Sequence, residues 1–447
     1  MNRDRYKTSI AFIDLLFNIT IGLAMLFILI ILHTPIGVAM ALTGVTMVGY
    51  LIGFGPALSL FGAEGKEVVS SEGLAIVASF ILMGAFANLS GLAQDLYRLA
   101  YAFLGHLRGG LALATVGACA GFGSVSGSSV ATTATMTQIA LPEMVTRGYS
   151  TTLSTGSIAA GGTLGMLIPP SIVMIIYGIL TEEFIIALFA AAIIPGIISV
   201  LVYFIAISII VRVNPSAGPA GPKISRTERL KIIKESWGVI FLAAVVSGGL
   251  YTGVFSPGES ASVGVSVAFC FAIWRKKLNW KSFFDTLIDA AGTTGLIYVI
   301  IIGAHIFSYF MTLSGLPELI VETIQASGLS KYAILILLYV MFIILGSIFD
   351  TVAAMVITLP FVYPLIVGLG FDPIWWGVIM VIVMEVGMIT PPIGMNVFVM
   401  HGMAKDVPLT AIFKGIMPFV LADFVRLGLI TAFPVLALWL PQYWGML

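Results

Sequence analysis

Ten apolar runs, nearly free of charge, dominate this chain and leave few folds open to it. They cover 10–32, 35–58, 73–92, 151–180, 185–211, 237–251, 258–273, 293–313, 375–401 and 412–440, with 237–251 and 258–273 the shortest. A helix needs about 20 apolar residues to cross a bilayer, and in lipid each backbone polar group must be satisfied within the protein. Charged residues make up 9% of the 447, where a soluble domain carries about 25%. The surface is therefore expected to face lipid, and the fold to be an all-α polytopic membrane protein with about ten full crossings. No small-residue cleavage site follows the first run, which reads as a retained span and not as a signal peptide.

The same counts exclude other classes. Basic and acidic residues balance at 21 each, which argues against a nucleic-acid partner. Cys119 and Cys270 lie in apolar surroundings, and four scattered histidines (His33, His106, His305, His401) give no metal-ligand spacing. No serine in the spans has a plausible histidine base, so an intramembrane enzyme is not expected.

Two further apolar stretches are interrupted by polar residues. The arms 111–122 and 130–145 flank Gly123-Ser124-Val125-Ser126-Gly127-Ser128-Ser129, and the arms 333–345 and 352–367 flank Gly346-Ser347-Ile348-Phe349-Asp350-Thr351. Each arm is too short to cross, and polar, irregular backbone at membrane depth must be buried in protein or line a cavity. Two re-entrant hairpins are expected. Basic residues set the orientation: Arg212, Lys223, Arg226, Arg229, Lys231 and Lys234 share one loop, and Arg275, Lys276, Lys277 and Lys281 another. Threading brings Arg98, Arg108, Arg147, Lys405 and Lys414 to the same side, which is cytoplasmic by the positive-inside rule. It also puts the N-terminus outside, against the preference of Arg3, Arg5 and Lys7. The Pro- and Gly-rich stretch 214–223 is linker-like and separates two halves.

Sliding the chain by 222 residues superposes those halves without a gap. Val130-Ala131 meets Val352-Ala353, Pro142 meets Pro364, Gly148 meets Gly370, Gly165-Met166 meets Gly387-Met388 and Pro169-Pro170 meets Pro391-Pro392. Five crossings between the hairpins invert the second copy. An inverted repeat with interrupted helices at matching points is the pattern of secondary transporters. Each double proline removes amide donors and clashes with the preceding turn, so each helix should break midway, opposite the tip of its own hairpin. Exposed carbonyls and hydroxyls there suit a hard cation such as Na⁺, and helix N-termini attract anions. The candidate Na⁺ ligands are Ser124, Ser126, Gly127, Ser128, Ser129, Gly165 and Pro169 in the first copy. Those of the second are Gly346, Ser347, Asp350, Thr351, Gly387, Thr390 and Pro391. Ser129, Thr163, Pro170, Ser171, Thr390, Pro392 and Asn396 are the candidates for a solute site between them. Serines and glycines here also suit close helix packing. Glu385 is equally a cavity residue or a buried structural partner, and Asp423 with Arg426, three apart, reads as a structural pair.

These stretches resemble the large membrane subunit of tripartite ATP-independent periplasmic (TRAP) transporters. Ser126-Gly127-Ser128-Ser129 with Pro142, Met144, Gly148 and Tyr149 is similar to that family's first hairpin, and 162–171 (GTLGMLIPPS, ending at Ser171) to its first broken helix. The stretch 248–259 resembles its Gly-rich turn, and 370–396, through Glu385 to Asn396, its second broken helix. Ser256, Gly258, Ser260 and the pair Thr137-Gln138 depart from the usual residues. The resemblance implies a bacterial inner-membrane permease working with a small four-helix membrane subunit and a periplasmic substrate-binding protein. It also implies a Na⁺ gradient as coupling ion, no organic cofactor and an organic-acid substrate of dicarboxylate, sialic acid or sugar-acid type. An elevator-type movement is implied, with 111–182 and 332–404 as the moving parts. Against these, 1–110 and 183–331 (with a cytoplasmic linker 213–234) form the scaffold, and 405–447 is a C-terminal helix. A stand-alone Na⁺-coupled divalent-anion carrier is the nearest alternative.

Overall fold

The computed structural model describes residues 3–317, 319–320, 323 and 328–447, with residues 3–14 described through their backbone alone. Arg3, Arg5 and Lys7, which bear on the side of the N-terminus, thus lie outside the described side chains, as does part of the connection before Lys331. The described residues are helical and contain no strand. Among them, seven helices are long and apolar enough to cross a membrane, and the chain divides into two compact units.

The first unit comprises Met1–Leu74, Gly292–Leu338 and Val352–Pro373. Its helices approach closely where a side chain is missing. A methyl on Gly303 would fall 2.1 Å from the Gly37 carbonyl oxygen, and one on Gly44 would meet the Ile306 backbone at 2.8 Å. Without a hydrophobic drive between helices in lipid, such small-residue crossings let dispersion forces act over backbone as well as side chains. The run expected as one span over 35–58 is two helices, Ile36–Ile52 and Phe54–Ser70. Gly53 separates them at φ 103°, a conformation open to glycine, and the Phe54 ring packs back on Gly49. Glu64 on the second of these is buried and lies 2.7 Å from His305.

The second unit comprises Ala75–Ala291, Tyr339–Thr351 and Ile374–Leu447, and it holds both hairpin tips and both double prolines. The helices Thr151–Leu167 and Ile172–Thr181 are separated at Pro169-Pro170, and Pro373–Ile389 and Met395–Met403 at Pro391-Pro392. Both prolyl pairs are cis. The C-terminal run, expected as one helix, divides into Leu409–Ala432 and Val435–Tyr443, because Pro434 supplies no amide to continue the first. The helices Leu92–Leu104 and Arg226–Glu235 were not expected from hydropathy, since both carry charge on a surface face.

The linker-like 214–223 does not hang free. Gly109 N donates to Gly218 O at 2.9 Å, Ser150 N to Ala217 O at 2.9 Å and Gly221 N to Gly105 O at 3.0 Å. Tyr149 OH donates to Pro219 O at 2.9 Å and accepts from Leu111 N at 3.1 Å. These bonds pin the linker under the base of the first hairpin.

Candidate functional site

The hairpin tips are shorter than their polar sequences. In the first, Gly110–Ser126 and Ser129–Thr146 leave two residues between them, and in the second Lys331–Ile348 and Thr351–Gly368 also leave two. Small polar residues are accommodated within the helices because their hydroxyls find carbonyls behind them. Ser124 Oγ donates to Gly121 O and Ser347 Oγ to Ile344 O, at 2.8 and 2.7 Å. The second pair of arms, expected to be too short to cross, reaches 18 residues each, enough for a crossing by length and composition.

At the first tip Gly127 adopts φ 62° and ends the helix, and the Ser128 side chain caps the next by accepting from Ala131 N at 3.3 Å. Ser126 Oγ lies 2.9 Å from Thr132 Oγ1, which donates to Ser128 O at 2.7 Å. Gly165 of the broken helix packs directly on this tip. A methyl there would stand 2.8 Å from Thr132 Oγ1 and 2.9 Å from Ser128 O, while one on Gly123 would meet Gly165 Cα at 2.5 Å. Pro169 and Pro170 are buried. Ser171 donates to Met166 O across the break and caps the second half, accepting from Met174 N at 3.4 Å. Thr132, absent from the expected set, is thus central to the tip; its place one turn after Ser128 is the signal that could have marked it.

The second tip repeats this plan with different atoms. A methyl on Gly387 would meet the Gly346 carbonyl carbon at 2.8 Å, so glycine again faces glycine. Gly346 corresponds to Gly123 only at an offset of 223, and Gly127 has no counterpart, so the first tip carries one extra residue. Gly394 N donates to Ser347 O at 3.1 Å, Thr390 Oγ1 to Val386 O at 2.5 Å, and Thr351 Oγ1 lies 3.1 Å from Met388 Sδ. Asp350, Pro391 and Pro392 are exposed.

Each break does face its own tip, but one residue crosses between the repeats. Asn396, on the second half of the second broken helix, donates from Nδ2 to Ser129 Oγ at 2.7 Å and to Ala159 O at 3.2 Å. It is fully buried, and its Oδ1 has no hydrogen-bond partner among the described residues. Thr163 is also fully buried, donating to Ala160 O at 2.8 Å and lying 3.4 Å from Tyr203 OH. Arg426 Nη2 lies 3.0 Å from Asp423 Oδ1, out of hydrogen-bonding alignment, and donates to Glu385 Oε2 at 2.7 Å. The expected Asp423–Arg426 pair is therefore a triad, all three members fully buried. Tyr203 OH donates to Asp423 Oδ2 at 3.0 Å, and Arg426 Nη1 to Ser199 Oγ at 2.5 Å.

Known proteins are similar to this chain in sequence and in fold. A family model described as Tripartite ATP-independent periplasmic transporter, DctM component, matches residues 23–436. The C4-dicarboxylate TRAP transporter large permease protein DctM of Vibrio cholerae is 35% identical over 449 residues, covering 94% of this chain and 97% of that protein. Its counterpart of the same description from Pseudomonas aeruginosa is 36% identical, covering 83% and 87%. The sialic acid TRAP transporter permease protein SiaT of Haemophilus influenzae is 30% identical over 85% of this chain and 62% of its own length. In fold, the chain is similar to the Alcanivorax borkumensis YdaH transporter, with a TM-score of 0.62 at 16% identity, covering 88% of this chain and 90% of that one. The family match runs through both hairpins and both broken helices, and this membrane permease chain belongs to the DctM component of the tripartite ATP-independent periplasmic transporters.

Proposed function

We propose that the chain is the permease subunit of a Na⁺-coupled, binding-protein-dependent importer of an organic acid, and that 111–182 and 332–404 move as its transport parts in an elevator-type cycle. The observation that carries this reading is the twofold pairing of a polar hairpin tip with a helix break through Gly123–Gly165 and Gly346–Gly387. Each pairing gathers hydroxyl and carbonyl oxygens at a point where a broken helix exposes more of them, the donor chemistry that a Na⁺ ion requires. Ser126, Ser128 and Thr132 with the carbonyls beside Gly165 would serve the first ion; Ser347, Asp350, Thr351 and Thr390 would serve the second.

The solute site of this reading lies around Ser129 and Asn396, where the repeats meet. Relatives described as C4-dicarboxylate permeases are 36% and 35% identical and those described as sialic acid permeases 30% and 28%, so C4-dicarboxylates are the first solutes to test. A small four-helix membrane subunit and a periplasmic binding protein complete the assembly. Cooperative transport requires Na⁺ and solute each to bind one state better than the other.

Uptake into proteoliposomes holding the chain with its small subunit tests the reading. Solute is supplied with or without the cognate binding protein, under an inward Na⁺ gradient or with K⁺ in its place. Uptake that needs both Na⁺ and the binding protein supports it. Uptake without the binding protein favours the stand-alone carrier, and hydrolysis of any supplied substrate would sink the transport reading.

A further inference from the structure

Glu385, Asp423 and Arg426 are fully buried, and neither the cation nor the solute reading uses them. Ionisable groups inside a membrane protein are costly, and buried ion clusters can often be replaced by apolar side chains without loss of stability. Stability alone therefore gives little reason for this one. Its placement gives a better reason. Positions 163 and 385 differ by 222, the repeat offset, so Thr163 and Glu385 occupy matching points on the two broken helices. Each stands two residues before the glycine that packs on its hairpin tip.

Polar contacts run from Glu385 to Tyr203, and packing completes the link to Thr163: the helix Leu409–Ala432 lies so close on Thr151–Leu167 that a methyl on Gly156 would fall 2.1 Å from Gly415 O. Tyr203 OH donates to Asp423 Oδ2 at 3.0 Å and touches Thr163 Oγ1 at 3.4 Å, a contact without a proton of its own because Thr163 donates to Ala160 O. Arg426 Nη2 lies 3.0 Å from Asp423 Oδ1 and donates to Glu385 Oε2 at 2.7 Å. The intermediaries sit on Ile185–Val213 and Leu409–Ala432, the helices that come next after the two broken helices. Arg426 reaches Glu385, Asp423 and Ser199 at once, which a planar guanidinium can do and an ammonium point charge does poorly.

We propose that Arg426 is a positioning residue: it fixes the two broken helices against each other, so that a cation bound at one tip sets the geometry of the other. This rests on the Na⁺ reading above. Coupling of this kind is reciprocal, and loss of the link leaves two independent sites with weaker apparent affinity.

The test is a Na⁺ titration of thermal unfolding, against K⁺ at constant ionic strength, on the chain purified with its small subunit and without solute. Three variants are compared with the natural chain: Arg426→Lys, the triple Glu385→Met/Asp423→Leu/Arg426→Met, and Tyr203→Phe. The natural chain is expected to be stabilised by Na⁺ with a Hill coefficient above 1. Arg426→Lys and the triple variant should unfold in K⁺ close to the natural chain. Their Hill coefficient should fall to about 1 and their Na⁺ midpoint rise by about ten-fold. A merely structural role would shift the K⁺ curve and leave the Na⁺ midpoint alone. A folded variant with the natural midpoint and Hill coefficient overturns the proposal. Should the first two variants not fold, Tyr203→Phe, which removes one hydroxyl, decides by the same criterion. If the natural chain gains nothing from Na⁺ over K⁺, it is the Na⁺ reading that fails.

Discussion

Two glycines on one helix give opposite predictions for the same substitution. Gly117 and Gly123 both lie within Gly110–Ser126. At Gly117 an added methyl would find Ala100 Cβ at 3.8 Å and Leu104 Cδ1 at 3.9 Å, which is ordinary contact. At Gly123 it would meet Gly165 Cα at 2.5 Å and Gly165 N at 2.9 Å, both main-chain atoms that no rotamer change can move. Alanine gains about 1 kcal/mol of helix propensity over glycine at either position. Gly117→Ala should therefore be more stable than the natural chain by about 1 kcal/mol. Overpacking costs about 1–3 kcal/mol, and a main-chain obstacle belongs at the upper end. Gly123→Ala should thus be less stable by about 2 kcal/mol, putting the two variants about 3 kcal/mol apart. Unfolding in mixed detergent and SDS, followed by circular dichroism, reads that gap. Uptake reads its consequence: the Na⁺ half-saturation should rise in Gly123→Ala and stay put in Gly117→Ala. Equal stability of the two variants would refute the claim that tip and break are held together by backbone contact.

Asn396→Ala removes the bonds to Ser129 and Ala159; at about 1 kcal/mol net per bond it should lower stability by about 2 kcal/mol, and uptake should be lost even at saturating Na⁺. Asp350→Asn should keep its fold and raise the Na⁺ half-saturation of uptake by about ten-fold, since a carboxylate is the strongest single cation ligand in the second set. Arg426→Met alone strands the buried carboxylates of Glu385 and Asp423 and should cost about 3–5 kcal/mol. The triple apolar replacement should recover most of that loss, as judged by unfolding midpoints.

Much of this architecture was legible in the sequence because it follows from hard constraints. Proline doublets inside apolar runs admit few conformations, so both breaks fall where expected. The offset of 222 brings Gly165 and Gly387 to equivalent contacts. The tips were harder to read. Serine and glycine look like loop residues, yet in a dry environment a serine hydroxyl can bond the carbonyl one turn back, and helix replaces loop through Ser126 and Ile348. The breaks at Gly53 and Phe433-Pro434 were hidden by hydropathy, which reads apolarity and not φ. Asn396 was named for its place on the broken helix, but its partners were not legible, because they are supplied by other helices. For Asn396 the neighbours are 267 and 237 positions away.

Where the repeats diverge, they do so in matched sets. The first break is buried, and hydroxyls serve its tip; the second is exposed, and a carboxylate stands there at Asp350. A hydroxyl is far less costly than a charge to bury, which suits the buried tip to serine and threonine. The buried triad runs the other way and needs a different reason. Thr163 in the first repeat corresponds to Glu385 in the second, Leu201 to Asp423 and Phe204 to Arg426. All three ionisable groups thus occur together in one copy, and none of them occurs in the other. A lone charge at any of these sites would be stranded in the interior, whereas Arg426 with its two carboxylates is held by partners on three helices. Tyr203, which donates to Asp423, touches Thr163, and Gly156 packs on the Gly415 carbonyl, so the uncharged copy meets the charged one at that point. If the triad served only its own repeat, nothing would require Tyr203, its partner from the other repeat, to stand against Thr163, the position equivalent to Glu385.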